Sequence, residues 1–290
     1  MPMKRLPAIA LSLALILGLL AGCGTTAVVA VPAPTPSATP TEAPAAQPSS
    51  PVDASSGEAV KTGLALITSV GSSTSVSAEG DGLAQADITL VAVTVGEDGV
   101  IDDCVIDAIQ SKVNFDAAGQ LITDLSIPVA SKNERGDDYG MWKASSIGKE
   151  WNEQAQAIAD YVVGKTIDQV TGIAVTEDGK AGDADLASSV TMSIGGYLEG
   201  IQQAVANAQH LGASKGDTLV LTSTTSLSDS KNATAEEDGL AQAYATVGAI
   251  TMNGDTITSM VIDAVQASVN FDTAGQITTD LTAAQPSKNQ

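Results

Sequence analysis

Cysteine, histidine, aromatic rings and positive charge are all scarce in this chain of 290 residues, and each shortage removes a class of function. Only Cys23 and Cys104 are cysteines, and with Cys23 expected to carry lipid, Cys104 is left without a partner thiol in the chain, so no disulfide framework is expected even in an oxidising compartment. His210 is the single histidine. A Ser-His-Asp or Cys-His catalytic set would have to be built around it, and nothing near it in sequence supports one. One imidazole with scattered carboxylates is no zinc site either. Thirteen basic residues stand against 34 acidic ones, and the lysines are dispersed. Nucleic acid is therefore excluded as a partner, because its binding needs clustered Lys and Arg. Paired carboxylates arise by chance in so acidic a chain and indicate no hydrolase. Glu177-Asp178-Gly179 is no calcium loop, since Ser189 stands where a terminal bidentate Glu is required.

The apolar run from Ala8 to Ala21 falls short of the roughly 20 residues that span a bilayer. It follows Lys4-Arg5 and ends in Leu20-Ala21-Gly22-Cys23. A basic start, a short apolar stretch and small residues before a cysteine make up a bacterial lipoprotein export signal. Residues 1–22 are expected to be removed, leaving Cys23 as the lipidated first residue. Two acyl chains on it hold a protein stably where one binds only marginally, so the protein is expected at the outer face of the cell membrane without a transmembrane helix. Removing Lys4 and Arg5 leaves 11 basic residues against 34 acidic ones, a formal charge of −23. Residues 23–57 then form a stalk, in which Pro32, Pro34, Pro36, Pro40, Pro44, Pro48 and Pro51 among Ala, Ser and Thr prevent regular pairing and favour an extended spacer.

Beyond the stalk lies an internal repeat. Val105–Asn133 matches Val261–Asn289 at an offset of 156, with 18 of 29 paired positions identical. Upstream, Asp81-Gly-Leu-Ala-Gln85 matches Asp238-Gly-Leu-Ala-Gln242 at an offset of 157, as a change in turn length between strands would produce. The repeat predicts a first domain over 58–212 and a partial second copy over 213–290. The second copy has no counterpart of Arg135–Asn207 and is expected to expose an apolar face and edge. Either the chain is part of a longer one, or the half-copy pairs with another molecule.

Within the first copy, strands are expected over Leu64–Val70 and Leu83–Val95. Glu97-Asp98-Gly99 supplies a hairpin turn, and Glu177-Asp178-Gly179 after Ile173–Thr176 repeats the signal. Cys104 sits in a strand-like alternation between Val100 and Ile106, as a buried small residue whose reactivity the neighbouring Asp102 and Asp103 blunt. Two amphipathic helices follow, one carrying Ile147, Trp151, Ala155, Ile158 and Val162, the other Ile194, Leu198, Ile201, Val205 and Ala208. His210 is expected at the surface or against the end of the second helix. The fold class is α+β, an antiparallel sheet covered by two amphipathic helices.

One constellation stands out where the second helix begins: Asp185-Leu-Ala-Ser188-Ser189-Val190-Thr191-Met-Ser193. Hydroxyls and a carboxylate there can cap free N–H groups, and the positive end of a helix dipole favours an anion. Ordinary capping by Ser188, Thr191 or Ser193 accounts for the same residues. This segment resembles the Asp-x-x-Ser-Gly-Ala-Thr-x-Ser signature of the FMN-binding domain of flavinylated bacterial surface and membrane electron-transfer proteins. Asp185, Ser188, Thr191 and Ser193 match it, while Ser189 stands for the Gly and Val190 for the Ala. Asp81-Gly82, Val93–Ile101 and Tyr139-Gly-Met141 also look like that family, and the resemblance covers about residues 80–208. It implies an FMN-binding-like fold, followed here by a truncated second copy, with FMN joined through its phosphate to Thr191. The isoalloxazine would need flat walls, for which Tyr139 and Trp142, in a Gly-containing loop, are the candidates. Trp151 belongs to the core stripe.

Two functions follow from these features. The first is a lipid-anchored electron carrier, in which flavin supplies the chemistry and passes electrons to a redox partner. The second is a non-catalytic surface repeat module that binds a ligand or builds structure without a cofactor. Both place the membrane, through Cys23, among the partners.

Overall fold

The computed structural model describes residues 57–290, and the expected export signal, Cys23 and nearly all of the expected stalk lie outside them. The fold is α+β, with two antiparallel three-stranded sheets and few helices. The first sheet is a meander of β1 (Lys61–Ser69), β2 (Gly82–Val95) and β3 (Ile101–Phe115). A helical stretch follows, made of α1 (Lys132–Arg135), α2 (Trp151–Val162), α3 (Ile167–Thr171), α4 (Ala184–Ala187) and α5 (Gly195–Ala206). The second sheet is another meander, β4 (Thr218–Ser226), β5 (Gly239–Asn253) and β6 (Thr256–Phe271). Among the described residues no helix is long and apolar enough to cross a membrane.

The one-residue change of offset lies in a turn. Val95 pairs with Ile101 around the Asp98-Gly99 turn, whereas their counterparts Met252 and Ile257 close around Gly254-Asp255, one residue shorter. Both hairpins shift register just before the turn, at Thr94/Val95 and at Thr251/Met252. The second Asp-Gly signal makes a turn but no hairpin of strands: Val175 and Ala181 form a single bridge about Glu177-Asp178-Gly179.

The two meanders stack face to face. Leu64, Leu66, Ile88, Leu90 and Ile109 of the first interleave with Leu219, Val247 and Val265 of the second. Phe115 and Phe271, at equivalent positions, stack with centroids 4.0 Å apart and planes 3° from parallel. The loops repeat the pairing in both directions, with Ala233 N donating to Gly119 O at 2.8 Å and Val76 N to Gly275 O at 2.9 Å. A Cβ on Gly119 would lie 2.6 Å from Ala233 Cβ, and one on Gly275 would lie 2.4 Å from Val76 Cγ2. Both glycines also have positive φ, so only a residue without a Cβ suits this approach.

The other face of the first sheet carries α2 and α5. Trp151, Ala155, Ile158, Ala159 and Val162 of α2 are buried, and α5 buries Gly200, Ile201 and Ala204. The expected stripes are present, with shifted ends. Ile147 lies in the loop before α2, because Gly148 has φ +67 and Glu150 takes the N-cap position. Ile194 precedes α5 and Ala208 follows it. Cys104 is 2 % exposed in β3. Its thiol is pushed up by burial first and by Asp103 and Asp160 after that. His210 is a surface residue, and its Nε2 lies 2.7 Å from Glu97 Oε1 rather than against the end of α5.

Candidate functional site

Glu150 and Gln154, one turn apart at the start of α2, organise the region around Thr191. Glu150 is 2 % exposed. Its Oε1 accepts from Met141 N and Trp151 N, both at 2.8 Å, and its Oε2 from Trp142 N at 3.2 Å. Burial opposes the charge, but these N–H groups together with that of Gly140 outweigh it and hold the carboxyl below the ordinary glutamate range. The carboxylate thereby fixes the loop of Tyr139 and Trp142 against the helix. Gln154, fully buried, donates through Nε2 to Ser145 Oγ at 3.1 Å and to Lys149 O at 3.2 Å. Its Oε1 accepts from Thr191 N at 2.8 Å and Thr191 Oγ1 at 3.2 Å. The aromatic loop and Thr191 thus meet through two polar side chains of one helix.

The aromatic loop also gathers positive charge. Lys132, Arg135, Lys143 and Lys149 fall within 18 residues of a chain poor in cations. Lys132 Nζ lies 4.7 Å from the centroid of Tyr139 and 5.1 Å from that of Trp151, and Arg135 lies 5.1 Å from Tyr139. Lys143 lies 5.5 Å from the ring of Trp142, which is 48 % exposed. Tyr139 is half-buried. Trp151 donates through Nε1 to Tyr197 Oη at 3.2 Å, so its ring serves the core.

No known family, curated protein or solved structure matches this chain.

The segment 183–193 is a short helix and a loop rather than the first turn of α5. Asp183 caps α4 by accepting from Asp185 N at 3.1 Å, and the N-cap position of α5 is Ile194, with no side-chain cap. Asp185 and Ser188 are exposed, and Ser188 Oγ donates to Asp185 O at 2.7 Å. Ser193, also exposed, reaches Asp178 O at 3.5 Å. Asp185 and Ser189 line a groove of about 290 Å³ with Asp160 and Tyr161. Tyr161 donates to Asp183, which raises the phenol and lowers the carboxyl.

Phosphate chemistry tests how well these residues suit FMN. From 187 to 190 each N–H is already spent, on Asp183 O, Ala184 O and, for both Ser189 and Val190, Leu186 O. The N–H of Thr191 is spent on Gln154. A phosphoester needs free donors or cations beside it, and the partner that Thr191 has instead is the neutral Gln154 amide. Val190, 2 % exposed, is fixed in the core, so the strand of chain before Thr191 has little freedom to turn its N–H groups outward. On the N-terminal side of Thr191, then, no backbone N–H is left over for a phosphate.

Sequence reasoning missed Glu150 and Gln154, because a buried glutamate or glutamine on a helix reads like an ordinary surface residue. The signal that could have exposed Glu150 is Glu153 three positions later, which completes a capping box by accepting from Glu150 N at 2.7 Å.

Proposed function

We propose that this chain is a lipid-anchored, extracytoplasmic surface module of FMN-binding-like fold with a truncated second copy, which works by presenting and pairing surfaces rather than by transferring electrons. The observation that carries this reading is the consumption of every backbone N–H from 187 to 191 by the protein itself. The extended anchor and the stalk rest on Leu20–Cys23 and the proline series, and they suit a module held off a membrane. Reciprocal packing of the two meanders supports a role in which repeats build structure.

A second reading keeps the electron carrier. It is favoured by the cations and rings of Tyr139 and Trp142, which Gln154 and Glu150 link to Thr191 and which have the chemistry of a planar anionic ligand site. The deciding experiment expresses the chain from residue 24 onward in a host with flavin-attaching machinery, beside Thr191→Ala. A colourless protein at its sequence mass is expected. A yellow protein with an FMN-sized increment that disappears in Thr191→Ala establishes the carrier instead.

A further inference from the structure

The outer strands of the two sheets are β1, β3, β4 and β6. Along an antiparallel strand alternate residues turn both N–H and C=O away from the neighbour, so each outer strand presents a row of groups for something else to satisfy. On β1 the chain that follows α5 does so: Gln209 exchanges two backbone bonds with Thr62, at 2.9 and 3.0 Å, and Asn207 Nδ2 donates to Leu64 O at 3.0 Å. β3 is met at Ile101 by Gly164 and Lys165, at Ile106 by Asn133 and at Asn114 by Ile122. β6 is met at Ile262 by Asn289, at Ala264 by Lys288 and at Asn270 by Thr278.

β4 differs. Leu219, the counterpart of Thr62, gives its N–H to the Asp103 carboxyl. The next residues of the same row, Leu221, Ser223 and Thr225, have no backbone partner on that side among the described residues. The strand also lacks the devices that keep an edge from pairing, since Thr218–Ser226 holds no charge, no proline and no bulge. Residues 32–51 of the chain cannot fill the row, because a proline at every second to fourth position deprives an extended segment of its donors.

We propose that β4 pairs with β4 of a second copy of this chain, antiparallel about a two-fold axis at Ser223, joining the two second sheets edge to edge into one sheet of six strands. The groups left over set the register: Leu221 lies opposite Thr225 of the other copy, and Ser223 opposite its own equivalent. Thr222 then faces Thr224 across the seam, a cross-strand pair that favours the pairing. A like copy suits this edge because, in so acidic a chain, the strand carries no charge to repel its own image. The contact occupies β4 of both chains, so assembly stops at two. No residue around Thr191 takes part, and the inference stands whether or not flavin is carried there.

The test is sedimentation and amide exchange of the chain from residue 24 onward, at physiological salt and over a wide range of concentration. Thr222 and Thr224 are exposed, so charges placed there leave the fold of each copy intact, which circular dichroism checks. Thr222→Glu, Thr224→Glu sets like charges opposite each other twice across the seam and is expected to raise the dissociation constant of the dimer by about tenfold. Thr222→Glu, Thr224→Lys keeps the net charge of the original chain, sets Glu opposite Lys twice, and is expected to restore the dimer. In the original chain, amide exchange at Leu221, Ser223 and Thr225 should slow as concentration rises. A monomer at every concentration, a dimer that the double-Glu variant leaves unchanged, or a Glu–Lys variant no better than the double-Glu one would each overturn the proposal. So would slow exchange at those three amides that persists on dilution, since another segment of the same chain, such as Thr25–Val31, would then occupy the edge.

Discussion

Replacing Phe271 by Ala should unfold the helices on the opposite sheet as well as its own meander. Phe271 is fully buried and stacked on Phe115, and a Cβ built on Gly239 would fall 2.3 Å from its ring. The ring therefore rests directly on backbone, which cannot collapse into the space the ring leaves. Phe→Ala changes in cores cost about 3–5 kcal/mol, and an uncollapsed site belongs near the upper half, about 4 kcal/mol. At about 2–4 °C per kcal/mol for a unit of this size, the midpoint should fall by roughly 8–16 °C.

The assay is thermal or urea unfolding followed by far-ultraviolet circular dichroism and by tryptophan fluorescence. Trp151, 2 % exposed beneath α2, and Trp142 both lie in the helical stretch on the first sheet, while the substitution is in β6. If the interleaved faces make one cooperative unit, both signals shift together with an unchanged denaturant slope. Phe115→Ala should cost about as much, and the double variant should fall short of the sum by about 1 kcal/mol, the coupling of the stacked pair. The reasoning fails if fluorescence keeps its original midpoint while dichroism loses part of its amplitude early, because the second meander would then be melting alone.

Two further outcomes follow from single side chains. Glu150→Gln keeps the shape but removes an anion serving four N–H groups, and should cost about 1–3 kcal/mol at pH 7 by urea denaturation. Because the folded carboxyl lies below its ordinary value of 4.5, its contribution is present above that pH and is lost as pH falls through the folded value, so the two proteins should converge in acid, and a constant gap would refute the assignment. Cys104, buried and with its thiol pushed up, should resist a thiolate-seeking reagent in the folded protein and react on unfolding at a rate that tracks urea concentration; rapid labelling without denaturant would contradict its burial.

The legible parts of this fold are those with local causes. Asp98-Gly99 closes its hairpin because the turn needs a positive φ, which Gly99 adopts at 76°. The helical stripes survive because their spacing alone sets the buried side. The sheet-on-sheet contact was not read, although β2 carried a hint: Leu90 to Val93 are all fully buried, and an unbroken apolar run marks a strand covered on both faces. The run says that something lies on each side without saying what, and the partner face is more than a hundred residues away in sequence. Near Thr191 the matching residues were legible as a spacing, but Gln154, which occupies the donors of Thr191, is 37 residues distant and chemically unremarkable.

The outer faces of β2 and β5 explain why two such similar meanders behave differently toward solvent. Reciprocal packing satisfies the inner faces equally, since each copy gives the other the same loop bonds and the same phenylalanine. It leaves each outer face to be settled separately. On the first sheet that face is apolar, with Ala65, Val91 and Val93, and would be an aggregation hazard if bare; α2 and α5 cover it. On the second, Thr222, Thr224 and Thr246 stand beside Gly248, Ile250 and the exposed Met260 and Ile262, a mixed surface whose hydroxyls tolerate water while its apolar side chains still offer contact. Threonine keeps strand propensity without demanding burial. A face of that mixed composition stands in water with its threonine hydroxyls solvated, whereas the wholly apolar face beneath α2 and α5 needs its cover.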